Sequence, residues 1–155
     1  MYFRRRKHLF TKIKMIMNTK VLLAALAGGI ATFFLGWALY GMALKGFFES
    51  NVGSATGVMR GDDDMQIWAI FAGNVAWSLL LALLYSRWAG ITTFMAGATA
   101  GAWIGFLMAL GYDLISFGTT NMGTLTAALV DPVVNAVLGA VGGGVVGFVL
   151  GYGKR

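Results

Sequence analysis

Asp131-Pro-Val-Val-Asn-Ala-Val-Leu-Gly-Ala-Val-Gly-Gly-Gly-Val-Val-Gly-Phe-Val-Leu-Gly151 is the stretch that decides the fold. Every fourth residue is small or polar: Asp131, Asn135, Gly139, Gly143, Gly147 and Gly151. Positions four apart share a face of an α-helix. Rows of small residues let the backbones of membrane helices approach closely. The stretch therefore reads as a membrane helix with a glycine groove along one side and a carboxylate near one end. Each i+4 step drifts about 40° around a 3.6-residue helix. Asp131 and Gly151 thus point to nearly opposite sides, and the two ends of the groove are expected to meet different partners.

Composition agrees with a membrane setting. Of 155 residues, 58% are hydrophobic and 12% charged, with 23 Gly and one Pro. A soluble domain carries roughly 25% charged residues. With no Cys and a single His, His8 in a basic tail, disulfides, thiolate or histidine metal clusters and a Ser-His-Asp triad in the bundle are excluded. No cofactor and no enzymatic activity are expected. The net charge of +6 is concentrated before a hydrophobic span. There it reads as a topology signal, and no nucleic-acid partner is expected.

Residues 1–20 form that basic tail, with Arg4, Arg5, Arg6, Lys7, Lys12, Lys14 and Lys20 and no acid. Met15 and Met17 are alternative starts. Beginning at Met15 removes six cations and brings the net charge from +6 to 0. Residues 21–153 form a single four-helix transmembrane domain with spans at about 21–48, 67–88, 91–112 and 124–152.

The first span continues well past Ala25-Leu26-Ala27, which argues against signal-peptide cleavage there. Ala24, Gly28, Thr32, Gly36 and Tyr40 form an i+4 ridge along it. Lys45 and Glu49, one turn apart at its end, are expected to pair weakly. The loop 49–66 holds Arg60-Gly-Asp-Asp-Asp64, which lacks the alternating ligands of a calcium loop. The second span carries Trp68 and Trp88 at its ends and the ridge Asn74, Ser78, Ala82 and Ser86. A short connection follows, making spans two and three antiparallel neighbours. In the third span Thr93, Gly97, Gly101, Gly105, Ala109 and Asp113 repeat at i+4. Ala25-x-Ala27-Gly28 and Ala98-x-Ala100-Gly101 are similar, but not beyond what so Ala- and Gly-rich a chain produces.

These features predict an all-α membrane protein: an up-down bundle of four transmembrane helices with glycine-zipper packing. Gly97, Gly101 and Gly105 pack against Gly139, Gly143, Gly147 and Gly151, with right-handed crossings. With a cytoplasmic N-terminus, ten of the Lys and Arg residues fall inside and two, Lys45 and Arg60, outside. Both termini are then cytoplasmic, in a bacterial inner membrane. The layout, with Leu35-Gly36-Trp37-Ala38-Leu39-Tyr40-Gly41 in the first span, resembles small four-helix bacterial integral membrane families of unknown function. The likeness covers most of the chain, and no functional residue carries over from it.

One polar intramembrane cluster is expected, formed by Asp131, Asn135, Asn74 and Asp113, with Lys45 the nearest cation. Two alternatives stand at Asp131. It caps a helix starting at Pro132, or it lies buried inside a longer helix that Pro132 kinks. Asp113 reads as a helix-end residue at the interface. Trp37, Tyr40 and Trp103 either line a small-molecule pocket or fill the bundle and face lipid. The function expected first is structural or accessory: packing with itself or with a membrane partner through glycine ridges, in contact with the lipid bilayer. The alternative is a transporter or channel for a small solute, proton or cation, using the cluster around Asp131.

Overall fold

A computed structural model describes residues 18–153. The basic cluster from Arg4 to Lys14, both alternative starts, Lys154 and Arg155 lie outside the described residues. The described chain is helical: α1 (Thr19–Ala38), a π turn (Leu39–Ala43), α2 (Lys45–Ser50), a 3-10 turn (Asp62–Asp64), α3 (Ile67–Leu84), a π turn (Tyr85–Ala89), α4 (Phe94–Thr119) and α5 (Leu125–Gly151). Four stretches are long and apolar enough to cross a membrane: Thr19–Ala43, Ile67–Ala89, Phe94–Thr119 and Leu125–Gly151. At 1.5 Å per residue each exceeds the roughly 30 Å hydrocarbon core. Their surfaces carry Leu23, Phe34, Trp37, Met95, Trp103 and Ile115 exposed. In lipid such an apolar surface is solvated; in water it would aggregate.

Polar side chains start three of these helices by binding orphan backbone amides. Asn18 accepts from the Val21 amide at 2.9 Å. Thr93 and Thr124 accept from Ala96 and Ala127 at 3.3 and 3.2 Å. With Thr124 as its cap, α5 begins before Asp131, and Pro132 lies inside the helix, buried. Asp131 is therefore not a helix cap. Proline has no N–H, so the Ala128 carbonyl loses its i+4 donor there, an arrangement membrane helices accommodate through neighbouring groups.

Three boundaries differ from expectation. The first span does not run unbroken to Phe48. The Leu44 amide bonds the Leu39 carbonyl five residues back, at 2.7 Å. Leu44 then leaves helical geometry (φ −113°, ψ 7°), so α2 is separate. The third span starts later, because Gly90 turns the chain at φ +62° and Ile91 and Thr92 belong to that turn. It also ends later, at Thr119. The apolar run through Leu114, Ile115 and Phe117 carries the helix past Asp113, which sits about two turns inside it rather than at its end.

The most extensive contact is between α4 and α5. A Cβ built on Gly101 would run into the Gly139 carbonyl oxygen, and one on Gly139 into that of Gly101. Gly97 meets Gly143 and Gly147 in the same way, and Gly105 meets Asn135 and Gly139. Residue numbers rise along α4 as they fall along α5. Gly151 packs on Thr92, in the turn before α4. The other side of α5 receives the α1 ridge: Gly28 against Val146, Thr32 against Gly142 and Gly36 against Leu138. On α1 itself, Gly28 and Gly29 also hold Ser78 and Val75 of α3. Helix α5 is the centre, with 44% of its apolar window buried against 17% in α3 and in α4.

The expected pairing of α3 with α4 is not found along their lengths. They meet at one end, where buried Tyr85 donates to the Gly97 carbonyl at 2.7 Å. There Val21, Ala24, Leu81, Ala82, Tyr85, Val146 and Leu150 form the buried apolar core. A short turn fixes proximity only where it sits; beyond it, each helix follows its own partner, α1 for α3 and α5 for α4.

Gly101→Val should lower stability by about 1–3 kcal/mol, because its side chain overpacks a backbone contact. Gly73→Ala, with open space at its Cβ, should not lose stability. Unfolding in mixed micelles, followed by circular dichroism, checks both.

Candidate functional site

At the end of the bundle opposite Tyr85, four helices contribute to one cavity of about 410 Å³. Asn74 comes from α3, Asp113 from α4, Asp131 and Asn135 from α5, and all four line it. Their depths match. At 1.5 Å per residue, Asp131 lies roughly 9 Å from the start of α5, Asp113 roughly 9 Å from the end of α4, and Asn74 roughly 10 Å from the start of α3. The glycine register explains the meeting of α4 and α5. Gly105 faces Asn135, and two further turns along α4 bring Asp113 opposite the turn that ends at Asp131.

Asp131 is held by both oxygens. The Tyr40 hydroxyl donates to Oδ1 at 2.6 Å. The Asn135 side-chain amide donates to Oδ2 at 2.7 Å. The same Asn135 nitrogen lies 3.1 Å from the Tyr40 hydroxyl oxygen, which closes a three-residue ring. Tyr40 belongs to the Leu39–Ala43 π turn. Such a turn places an extra residue in the helix and re-aims the side chains that follow, and π turns recur at functional sites. Tyr40 also packs its ring 5.2 Å from that of Phe48 in α2.

Asp113 is treated differently. Its Oδ2 atom is buried and has no hydrogen-bond partner among the described residues. Asn74 donates to the Ile70 carbonyl at 2.9 Å, within its own helix. Among the described residues the cavity walls carry two carboxylates and no Lys or Arg. Lys45, expected as the nearest cation, binds Asp62 at 2.7 Å and lies 3.9 Å from Glu49. The Asp62 hydrogen bond is the main reason its ammonium is held above the ordinary lysine range. Arg60 likewise pairs with Asp64 of the acidic loop at 3.2 Å. Among the described residues no group of three or more His, Cys, Asp and Glu side chains could hold a metal ion.

Of the aromatic candidates, Trp37 and Trp103 are exposed on the spans and do not line the cavity. Trp77 and Tyr112, which the i+4 ridges pass over, do line it. Sequence spacing placed Tyr40 on the α1 ridge. Its bond to Asp131 depends on the π turn, for which no local signal exists.

Tyr40→Phe should cost about 1 kcal/mol in stability, the scale of one interhelical hydrogen bond in a membrane. Because Tyr40 and Asp131 share that bond, Tyr40→Phe should cost measurably less in an Asp131→Leu background. A double-mutant cycle of unfolding free energies checks the coupling, and strict additivity would remove it. No protein-family model, no curated protein and no solved structure matches the chain.

Proposed function

We propose that this is an integral membrane protein that binds a proton or other cation in the cavity of Asp131 and Asp113 and carries it across the bilayer. Its architecture in this reading is an up-down four-helix bundle joined by a glycine zipper between α4 and α5. With both termini cytoplasmic, as the Lys and Arg distribution favours, the cavity lies in the outer half of a bacterial inner membrane. The role is non-enzymatic.

The observation that carries the reading is the cavity itself, with carboxylates from two helices in its walls and no cationic side chain to neutralise them. Ionisable groups at this depth are costly, and in membrane proteins they mark ion and proton paths. Two adjacent negative charges in a medium of low polarity are stable only when a proton or another cation offsets one of them. Protons and the transported cation would therefore compete for the same pair. The alternative, an accessory protein that recruits partners through free glycine ridges, has less support. Gly97, Gly101 and Gly105 are occupied by α5, and Gly139, Gly143 and Gly147 by α4 or the turn before it.

Proteoliposomes holding a pH-sensitive dye, driven by a potassium diffusion potential, test this. The wild-type chain should pass protons faster than empty vesicles. Asp131→Asn keeps an acceptor for Tyr40 but loses the charge, and should slow the flux by about tenfold or more, the worth of a charged hydrogen bond. Flux equal in the two proteins, or equal to that of empty vesicles, would overturn the proposal.

A further inference from the structure

We infer that the gap between α3 and α4 admits a hydrophobic organic cation from the bilayer and seats its charge against Asp113 and Asp131. The inference rests on the cation-site reading above and names the ligand class and its route.

The route follows from how the helices are joined. Helices α3 and α4 are held together at the Tyr85 end and do not pack along their lengths. The cavity lies toward the other end, with walls from both helices and a floor from α5. Ile70, Met108 and Tyr112 line it and are nevertheless 45%, 53% and 70% exposed. All three sit within membrane-spanning segments. The mouth therefore opens sideways, toward lipid chains. Gly73 forms part of the α3 wall, and nothing lies within 4 Å of where its Cβ would be. The missing side chain leaves the gap passable.

The ligand class follows from the walls. An anion has no Lys or Arg to meet. A bare metal ion is met less well: each Asp131 oxygen already accepts a hydrogen bond, and no group of three or more His, Cys, Asp and Glu side chains among the described residues could hold one. A space of about 410 Å³ is in the range that encloses a drug-sized molecule. Trp77 and Tyr112 supply aromatic faces, which attract a desolvated organic cation. Asp113, in the cavity lining, supplies the counter-charge. An apolar body also explains entry from lipid: a strongly hydrated cation would have to shed its water before reaching the mouth.

The test is equilibrium binding of radiolabelled tetraphenylphosphonium to the full chain in nanodiscs, with empty nanodiscs as the blank. Tetraphenylborate, an anion of the same shape, is the control ion. Saturable phosphonium binding without borate binding is expected. Asp113→Asn should weaken it by about tenfold or more, as loss of a charged partner does. Gly73→Phe should abolish it by filling the gap, independently of carboxylate chemistry. Gly111→Phe, on α4 outside the cavity and equally open at its Cβ, should leave it unchanged. Equal uptake of the two ions would overturn the inference, as would phosphonium binding that survives both Asp113→Asn and Gly73→Phe. Proton flux through Asp131 in a protein that binds no phosphonium would overturn the ligand and its route and leave the cation site standing. Absence of both would overturn the two readings together.

Discussion

Everything else in this molecule depends on how closely the backbones of α4 and α5 approach. Between helices in lipid there is no hydrophobic driving force, so association relies on packing and on polar contacts at short range. Glycine supplies both, by removing the side chain and by exposing Cα hydrogens to a facing carbonyl. The exclusion is mutual: a Cβ on Gly101 would meet the Gly139 carbonyl, and one on Gly139 the Gly101 carbonyl. A contact this tight admits one register. That register sets Asp113, two turns beyond Gly105, opposite Ala127, one helical turn from Asp131.

The central helix then divides its surface. Gly139, Gly143 and Gly147 serve α4 and the turn before it, while Gly142, Val146 and Leu138 serve the α1 ridge. Two tyrosines in π turns tie the opposite ends. Tyr85 fixes α3 onto the Gly97 carbonyl, with Gly143 leaving room for its hydroxyl. Tyr40 fixes the end of α1 onto Asp131. The ends differ in what fills them. Around Tyr85 the filling is apolar. Around Tyr40, α3 has diverged from α4, and a cavity takes the space.

Much of this was legible in the chain because membrane packing is written in spacing. The i+4 glycines of the third and fourth spans meet, and the residues four apart from Ala24 to Tyr40 face α5. Asp131, Asn135, Asn74 and Asp113 line one cavity. What could not be read has several causes. The short connection at Gly90 implied that α3 and α4 are neighbours, but each is held more strongly elsewhere. A charge at Asp113 read as the end of a span, although the apolar residues after it keep the helix going to Thr119. The ion pair of Lys45 with Asp62, 17 residues away in the acidic loop, has no spacing signal in the sequence.

Asp131 alone would fit a purely structural role. Both of its oxygens are bonded, and the ring with Tyr40 and Asn135 ties α1 to α5. Asp113 is held differently. A carboxylate at that depth is costly, and its buried Oδ2 gains no hydrogen bond among the described residues. Leucine at the same position would extend the apolar surface of α4 at no such cost. A cost that packing does not offset is the mark of a group kept for its chemistry. The two aspartates thus differ in their surroundings: Asp131 accepts a hydrogen bond at each oxygen, whereas the buried Asp113 Oδ2 accepts none among the described residues, and the proposed cation site rests on that difference.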